Sequence, residues 1–249
     1  MATTLIASLL IITLVNVLAY AWAYKKQSDH LTDISYSLCF IVTVLSLVAL
    51  YKHVTLPHIV LAGMVVLWGL RLGGFLFYRI HKMGKDDRFD SFRGSWKGFL
   101  KFFLLQSLSI WIIALPAIIF LQYPEFTPSY LGLAVWSVGF IIESIADAQK
   151  FSFKEKNPDR FMNEGVYKSI RHPNYLGEIL CWLGVWIFIL PSLSGWLWIS
   201  IISPLWITLL LVKISGIPLL EEKGERKYGS DPNYRSYMDS SHKLIPGIF

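Results

Sequence analysis

The run from Gly165 to Glu178 joins a polar connection to a long apolar stretch, and it contains several residue types that bind ligands. Arg171 and His172 can hold anions, and Asn174 can both donate and accept hydrogen bonds. Polar side chains at the edge of hydrocarbon cost free energy unless they hold something polar. The run therefore predicts a binding site at a membrane boundary. A second interpretation stays open, in which the basic pair only orients the chain in the membrane while Pro173 begins a helix.

A second set of polar residues precedes this run at helical spacing. It consists of Glu143, Asp147, Lys150 and Lys154. Intervals of four, three and four residues place these side chains on one face of a helix. Carboxylates at membrane depth are costly, so the stripe predicts a wall that holds a polar, partly cationic or amide-bearing ligand, with the lysines at phosphate. The alternative is ion pairing inside the bundle, with the lysines reaching to the interface.

Two further regions carry charge. Arg71 lies about two turns inside an apolar stretch, where arginine more often pairs or lines a cavity than faces lipid. The nearby glycines Gly69, Gly73 and Gly74 predict close helix packing. In the tail, Glu222 and Arg226 are spaced for an ion pair on a short helix that ends at Gly229, and Asp231-Pro232 begins a second short segment.

Apolar stretches must position all of these residues. They cover roughly residues 5–24, 34–51, 57–78, 102–121, 130–147, 175–190 and 196–213, and a membrane crossing needs about 20 residues. The chain is 54% hydrophobic and 16% charged, with a mean hydropathy of +0.50, which excludes an ordinary soluble domain. We predict an all-α, polytopic integral-membrane bundle of about seven transmembrane helices, forming one domain over residues 1–249. The first stretch is interpreted as a retained helix rather than a signal peptide.

Basic residues alternate between the connections, and this alternation predicts the topology. Lysine and arginine are concentrated in the first, third and fifth connections and in the tail, while the fourth and sixth contain none. This pattern predicts an outside N-terminus and a cytoplasmic C-terminus. The net charge of +6 thus reflects the topology and an attraction to anionic membrane lipid, and it does not indicate binding of nucleic acid. The expected location is the bacterial cytoplasmic membrane, although an internal eukaryotic membrane would satisfy the same pattern.

The cysteines and histidines indicate no metal site. Cys39 and Cys181 lie in apolar stretches, which is typical of small core residues, and the six histidines lack the spacing of metal ligands. We therefore expect no metal.

Five separated motifs follow one another in the order that is typical of one superfamily. They are Asp147–Phe151, Gly165–Tyr167 leading into Arg171–Glu178, Trp182, Ser215–Glu221, and Asp231–Tyr234 through Ile245-Pro246. With these motifs the chain resembles the steroid 5-alpha-reductase superfamily, and it is most similar to a bacterial branch of unknown function. The resemblance covers roughly residues 64–249 when Trp68, Arg71, Arg79 and the loop Gly84–Phe89 are included.

The resemblance implies an integral-membrane oxidoreductase of lipid metabolism that uses NADPH to reduce a carbon–carbon double bond in a steroid-like or other lipophilic enone or sterol. It implies a lipid-accessible substrate cavity in residues 1–121 and a cofactor site in residues 130–249. The residues implied at NADPH are Asp147, His172, Asn174, Tyr175, Glu178, Glu222 and Arg235, with Arg171 and Lys154 suited to its phosphates. No Gly-x-Gly-x-x-Gly fingerprint is present, so a Rossmann site is not expected.

The proton donor is the weakest part of the match. Steroid reductases use a carboxylic acid before Leu-Pro and a tyrosine early in the third span, whereas the corresponding positions here are Thr55 and Trp68. Tyr78 and His58 are the candidate catalytic substitutes. Each has a structural alternative, because Tyr78 suits an interfacial anchor and His58 a helix start.

Two other functions stay open. A methyltransferase of the isoprenylcysteine carboxyl type shares an Arg-His-Pro-x-Tyr-x-Gly motif, and it would place S-adenosylmethionine among Arg171, His172, Tyr175, Glu221 and Glu222. Asn174, Glu178 and the stripe that contains Asp147 favour the reductase. The third possibility is a lipid- or sterol-binding relative that has lost its catalytic acid, as Thr55 and Trp68 indicate.

Overall fold

The computed structural model describes residues 1–26, 30–51, 53–83 and 95–245. Within these ranges the α-helices are α1 (Ala2–Lys26), α2 (His30–Leu50), α3 (Leu56–Met83), α4 (Trp96–Phe120), α5 (Tyr130–Lys156), α6 (Pro173–Ile189), α7 (Ile202–Leu209), α8 (Ile217–Tyr228) and α9 (Pro232–Ser240). A 3₁₀ helix at Gly195–Ile201 leads into α7, and a π-helix at Leu210–Ile214 follows it.

The helices confirm the predicted polytopic membrane bundle. Among the described residues, six helical stretches are long and apolar enough to cross a membrane, and the shorter apolar stretch Ile34–Leu50 lies in α2. In the described ranges the backbone forms no strand, and an isolated parallel bridge joins Ile170 to His242. The orientation in the membrane stays a prediction. Several helices continue past the predicted apolar stretches, and α5 reaches Lys156, so the stripe from Glu143 to Lys154 lies on one continuous helix.

The chain divides into two compact units. The first comprises Met1–Leu133 and Val185–Ser203, and the second comprises Ala134–Gly184 and Pro204–Phe249. The predicted assignment of substrate binding to residues 1–121 and of cofactor binding to residues 130–249 stays a prediction.

In the first unit, small residues allow helices to approach closely. A Cβ on Gly69 would lie 2.9 Å from Cγ1 of Ile41, and one on Gly73 would lie 3.1 Å from Cβ of Ser37, so both glycines pack α3 against α2. No atom of the described residues lies within 4 Å of a Cβ on Gly74, so the prediction of close packing was wrong there for this part of the chain. Ala19 and Ala23 of α1 pack against a pair of phenylalanines of α4, Phe99 and Phe103.

A buried polar network also joins helices of the first unit. The Asn16 amide donates to Ser107 Oγ at 2.9 Å, and its Oδ1 accepts from the Gln106 amide at 3.0 Å. Gln106 also donates to Ser35 Oγ at 3.2 Å. The network thereby links α1, α2 and α4 through side chains whose polar atoms have protein partners, which is a common way to hold membrane helices together.

The tail forms the predicted pair of short helices. The helix α8 begins with Pro218 in its first turn and ends at Gly229, while Asp231 caps α9 by accepting from the Asn233 backbone N–H at 2.8 Å. Glu222 and Arg226 approach to 3.6 Å, which confirms the predicted pair on α8.

Candidate functional site

Two glycines bring α5 and α6 into backbone contact in the second unit. A Cβ on Gly177 would lie 2.6 Å from the Glu143 backbone nitrogen, and a Cβ on Gly139 would lie 2.6 Å from the Gly177 carbonyl oxygen. Only glycine fits this crossing, because the obstructing atoms are backbone. The crossing buries Glu143 against α6, with Cys181 Sγ 4.0 Å from its Oε2. Asp147 is buried one turn further along α5.

The loop after α5 is tied back to the same helix by Gln149. The Gln149 side chain occupies the space that a Cβ would take at Gly165, and its Oε1 accepts from the Val166 backbone N–H at 3.0 Å. Gly165 also has a φ of +58°, a conformation that favours glycine. The loop then places the buried Tyr167 ring 5.6 Å from the Lys150 ammonium. Gln149 and the motif Gly165–Tyr167 are therefore parts of one local structure.

Arg171 fastens the tail to this loop. Its guanidinium donates to the Met238 carbonyl at 2.9 Å, to the Ser241 carbonyl and to Ser241 Oγ. Its backbone N–H donates to the His242 carbonyl at 2.8 Å, and the His242 N–H donates to the Ser169 carbonyl at 2.9 Å. Arg171 is therefore largely occupied by protein acceptors, and it positions the tail over the start of α6.

Glu221 is the common partner of three basic side chains near the contact between Arg171 and the tail. Its Oε1 lies 3.2 Å from Arg171 Nε and 3.5 Å from His172 Nε2, and its Oε2 lies 3.2 Å from Lys243 Nζ. Burial lowers the pKa of His172 below its ordinary value of 6.5, and the Glu221 carboxylate partly opposes this effect. The imidazole is thus held mainly neutral at neutral pH.

The first turn of α6 carries the remaining motif residues. The Tyr175 ring is stacked on His172 with a centroid separation of 5.8 Å and an angle of 13° between the planes. The Oδ1 atom of Asn174 is buried and has no hydrogen-bond partner in the described part of the chain. Glu178 follows one turn later and is partly buried. A buried carbonyl oxygen without a donor is costly, and it suits a ligand that brings an N–H group.

Three of the predicted cofactor residues lie in more exposed surroundings. Glu222 is 61% exposed and pairs with Arg226, while Arg235 donates to the Gly229 carbonyl at 2.8 Å and to Glu225 at 2.5 Å. Lys154 donates to the Arg160 carbonyl and to Tyr228 Oη at 2.9 Å. In this structure these three side chains stabilise the loop and tail rather than line the cluster around His172. The predicted loop Gly84–Phe89 lies outside the described residues.

An aromatic cluster completes the cover formed by the tail. Phe161 of the loop contacts Tyr234 and Tyr237 of α9 at centroid distances of 5.3 and 5.6 Å. Tyr237 Oη donates to the Tyr167 carbonyl at 2.7 Å, and burial raises the pKa of Tyr237 to about 12, so the hydroxyl remains a donor across the physiological range.

The two candidate catalytic residues lie far apart on α3. His58 is buried near the beginning of the helix, and Tyr78 is half-exposed about 20 residues further on, which corresponds to roughly 30 Å along the axis. They cannot serve one reaction centre together. His58 Nε2 donates to the Tyr123 carbonyl at 2.8 Å, and its Nδ1 accepts from Thr55 Oγ1 at 2.7 Å. His58 therefore already has a structural role, and Trp68 is packed edge-on against Phe40.

Glu221 and Gly139 are not among the site residues predicted for the reductase. Glu221 entered only as part of the methyltransferase alternative, because two successive glutamates on a short helix do not reveal which one faces inward. The available signal for Glu221 was its spacing of four residues from the apolar Ile217, which is buried and lies on the same face of α8. Gly139 lies four residues before Glu143, on the same face of α5.

Comparisons with known proteins give one family and one curated relative. A family model described as a protein of unknown function (DUF1295) matches residues 19–241. An uncharacterized protein of Schizosaccharomyces pombe is 27% identical over 142 residues, which are 48% of this chain and 39% of that protein. The chain thus spans well under half of the length of this relative. No solved structure matches the chain.

Proposed function

Because the chain belongs to the DUF1295 family, whose model matches residues 19–241, we propose that it is a membrane-embedded reductase that uses NADPH to saturate a carbon–carbon double bond in a lipophilic enone or sterol. The resemblance of its motifs to the steroid 5-alpha-reductase superfamily supports the reaction class. The membrane-spanning helices support a lipophilic substrate, since such a molecule partitions into the bilayer.

The buried Asn174 Oδ1 is the observation that carries this proposal. In a folded protein almost every buried polar atom has a partner, and those that lack one often mark a ligand site. Here the atom lies at the start of α6, next to the stacked pair His172 and Tyr175. A carboxamide, such as the one that NADPH carries on its nicotinamide ring, can donate the missing hydrogen bond.

The surrounding residues fit a dinucleotide by their chemistry. Asn174 and the acidic residues Asp147 and Glu178 would accept from its amide and hydroxyl groups. Lys150, on the same α5 stripe, offers a cation for phosphate, as does Lys243 beside Glu221. Arg171 contributes mainly by holding the tail, since its donors are used by Glu221, Met238 and Ser241.

NADPH would supply the hydride of such a reaction, and the chain would supply orientation, exclusion of water and a proton. Asn174 fixes the orientation through a hydrogen bond that forms only in one pose. The hydrogen bonds from Arg171 to the tail, together with the ring contacts of Phe161, would cover the polar side of the proposed site. Tyr78 is the remaining proposed proton donor, because His58 would first have to release the Tyr123 carbonyl.

The first experiment measures NADPH binding to the detergent-purified chain by thermal stabilisation. At an NADPH concentration about 100 times the Kd, a single site stabilises the folded state by roughly 2.7 kcal/mol. We expect Asn174→Ala to lose this stabilisation while its unliganded midpoint stays within a few degrees of the wild type. The matched control Asn233→Ala changes an exposed asparagine and should bind NADPH normally. Unchanged NADPH binding by Asn174→Ala would remove the central assignment.

A methyltransferase of the isoprenylcysteine carboxyl type is the second candidate. It is favoured by the grouping of Arg171, His172 and Glu221, with Tyr175 stacked on the histidine, because these are residues that such an enzyme would place around S-adenosylmethionine. The same thermal measurement separates the two candidates. Stabilisation by S-adenosylmethionine and not by NADPH would establish the methyltransferase in place of the reductase.

Turnover requires a separate measurement. NADPH oxidation is followed at 340 nm in proteoliposomes against a panel of enones and sterols, with Asn174→Ala as the inactive reference. Oxidation that depends on one of these substrates supports the reductase. NADPH binding without oxidation across the panel would instead support the non-catalytic, sterol-binding relative.

A further inference from the structure

A groove runs along the exposed face of the first half of α4, in the first unit. Its volume is about 410 Å³, and it is lined by Trp96, Lys97, Leu100, Lys101, Leu104, Leu105 and Leu108. The last three leucines are each about half-exposed. An apolar face of this kind is expected to contact lipid acyl chains, because α4 is long and apolar enough to cross the bilayer.

One end of the groove is cationic. Lys97 and Lys101 are exposed in the first turns of α4, and the end of α1 beside them carries Lys25 and Lys26. The two helices are joined there, because Tyr20 Oη donates to the Trp96 carbonyl at 3.3 Å. Neither α1 nor α4 contains an aspartate or a glutamate. The cations are therefore not neutralised by carboxylates on the helices that carry them.

The length of the groove, and the order of its polar and apolar lining residues, match one leaflet of a bilayer. From Lys97 to Leu108 the helix rises roughly 16 Å, which is about half of a hydrocarbon core of roughly 30 Å. The Lys97 ammonium lies 5.5 Å from the centroid of the Trp96 ring, and tryptophan and lysine side chains together favour the level of the lipid headgroups. Beyond Lys101 the lining consists of Leu104, Leu105 and Leu108.

We propose that this groove binds an anionic glycerophospholipid. Its phosphate lies at Lys97 and Lys101, and one acyl chain follows Leu104 and Leu108. A zwitterionic lipid contacts the same leucines but gains less from the cations, so charge sets the preference. The site belongs to the first unit and does not depend on the proposed reductase activity.

The experiment is native mass spectrometry of the detergent-purified full chain, titrated with phosphatidylglycerol or phosphatidylcholine of the same acyl composition. Each basic residue near a membrane surface adds attraction worth roughly a 5-fold change in affinity, so the two lysines predict about a 30-fold preference for phosphatidylglycerol. The double variant Lys97→Gln/Lys101→Gln should reduce phosphatidylglycerol binding to the level of phosphatidylcholine. Lys168→Gln, which changes an exposed lysine of the second unit, should keep the preference.

Two results would overturn the proposal. One is equal affinity of the wild type for both lipids, and the other is a preserved preference for phosphatidylglycerol in the double variant. The double variant is expected to unfold at the wild-type temperature, because both lysine side chains are exposed. Soluble sn-glycerol 3-phosphate tests the part played by the acyl chain. Displacement of phosphatidylglycerol by this compound at equal concentration would contradict a lipid groove and indicate a site for a soluble phosphate.

Discussion

The two units each contain an asparagine whose side-chain oxygen is buried, and the two oxygens differ in whether they accept a hydrogen bond. In the first unit Asn16 donates to Ser107 and accepts from Gln106. In the second unit the Oδ1 of Asn174 is buried without a protein donor in the described ranges. A satisfied amide lowers the free energy of the fold, whereas an unsatisfied one raises it. The first polar cluster holds helices together, and the unpartnered oxygen of the second is the basis for the proposal that it binds a ligand.

The two units also differ in how their helices meet. In the first unit Gly69 and Gly73 face side chains, Ile41 and Ser37, which can shift slightly. In the second unit Gly139 and Gly177 face backbone atoms, which cannot. The walls of the candidate site are thus fixed by the main chain itself, as a binding site that needs accurate geometry requires.

Substitution of Gly177 is expected to have the largest effect on the second unit. In Gly177→Ala the new Cβ would lie 2.6 Å from backbone and Cβ atoms of Glu143, so α5 and α6 must separate. We expect a loss of about 3 kcal/mol in the free energy of unfolding, together with the loss of NADPH binding. Thermal unfolding in detergent measures the first quantity.

The matched control for this variant is Gly74→Ala. It adds a methyl group to a membrane helix at a position with no described atom within 4 Å, so its unfolding midpoint should be unchanged or slightly raised. An unfolding midpoint of Gly177→Ala equal to that of the wild type would show that the α5–α6 crossing is not constrained as described.

Exchange of the two asparagines for leucine tests the comparison directly. Asn16→Leu removes partners from Ser107 and Gln106, and we expect it to lower the free energy of unfolding by about 1–2 kcal/mol. Asn174→Leu removes a buried atom that has no partner among the described residues, so its unliganded stability should equal or exceed that of the wild type while NADPH binding is lost. Equal destabilisation by both variants, measured by thermal unfolding, would contradict the distinction between the two clusters.

Helix existence was predictable because apolar length and charge alternation are local properties of a sequence. Six of the seven predicted membrane-spanning stretches, the ion pair of Glu222 and Arg226 and the short helix that begins at Asp231-Pro232 are confirmed for this reason, whereas α2 contains a shorter apolar stretch. The partners of the site residues were not predictable. Arg171 and Lys154 were assigned to phosphate by their charge, yet in the structure they bind Ser241 and Tyr228, residues that are 70 and 74 positions away in the chain.

Asn16 and Gln106 show the same limit in the first unit. A polar residue in an apolar stretch signals a partner, but the identity of that partner depends on which faces of two distant helices meet. Only the packing of α1 on α4 brings Asn16 to Ser107.

The smallest expected effect concerns the pH dependence that His172 gives the second unit. Burial lowers the pKa of His172 below 6.5, so the folded state keeps the imidazole neutral while the unfolded chain takes up a proton as the pH falls through 6.5. The unfolded state then binds more protons, so this contribution to stability is complete above pH 6.5 and decreases as the pH falls below that value.

The unfolding midpoint at pH 5 and pH 7.5 should differ less in His172→Gln than in the wild type. His53→Gln, which changes an exposed histidine of the first unit, should leave the difference unchanged. Equal pH dependence of His172→Gln and the wild type would mean that the pKa of His172 is the same in the folded and unfolded states, so that Glu221 fully offsets the effect of burial.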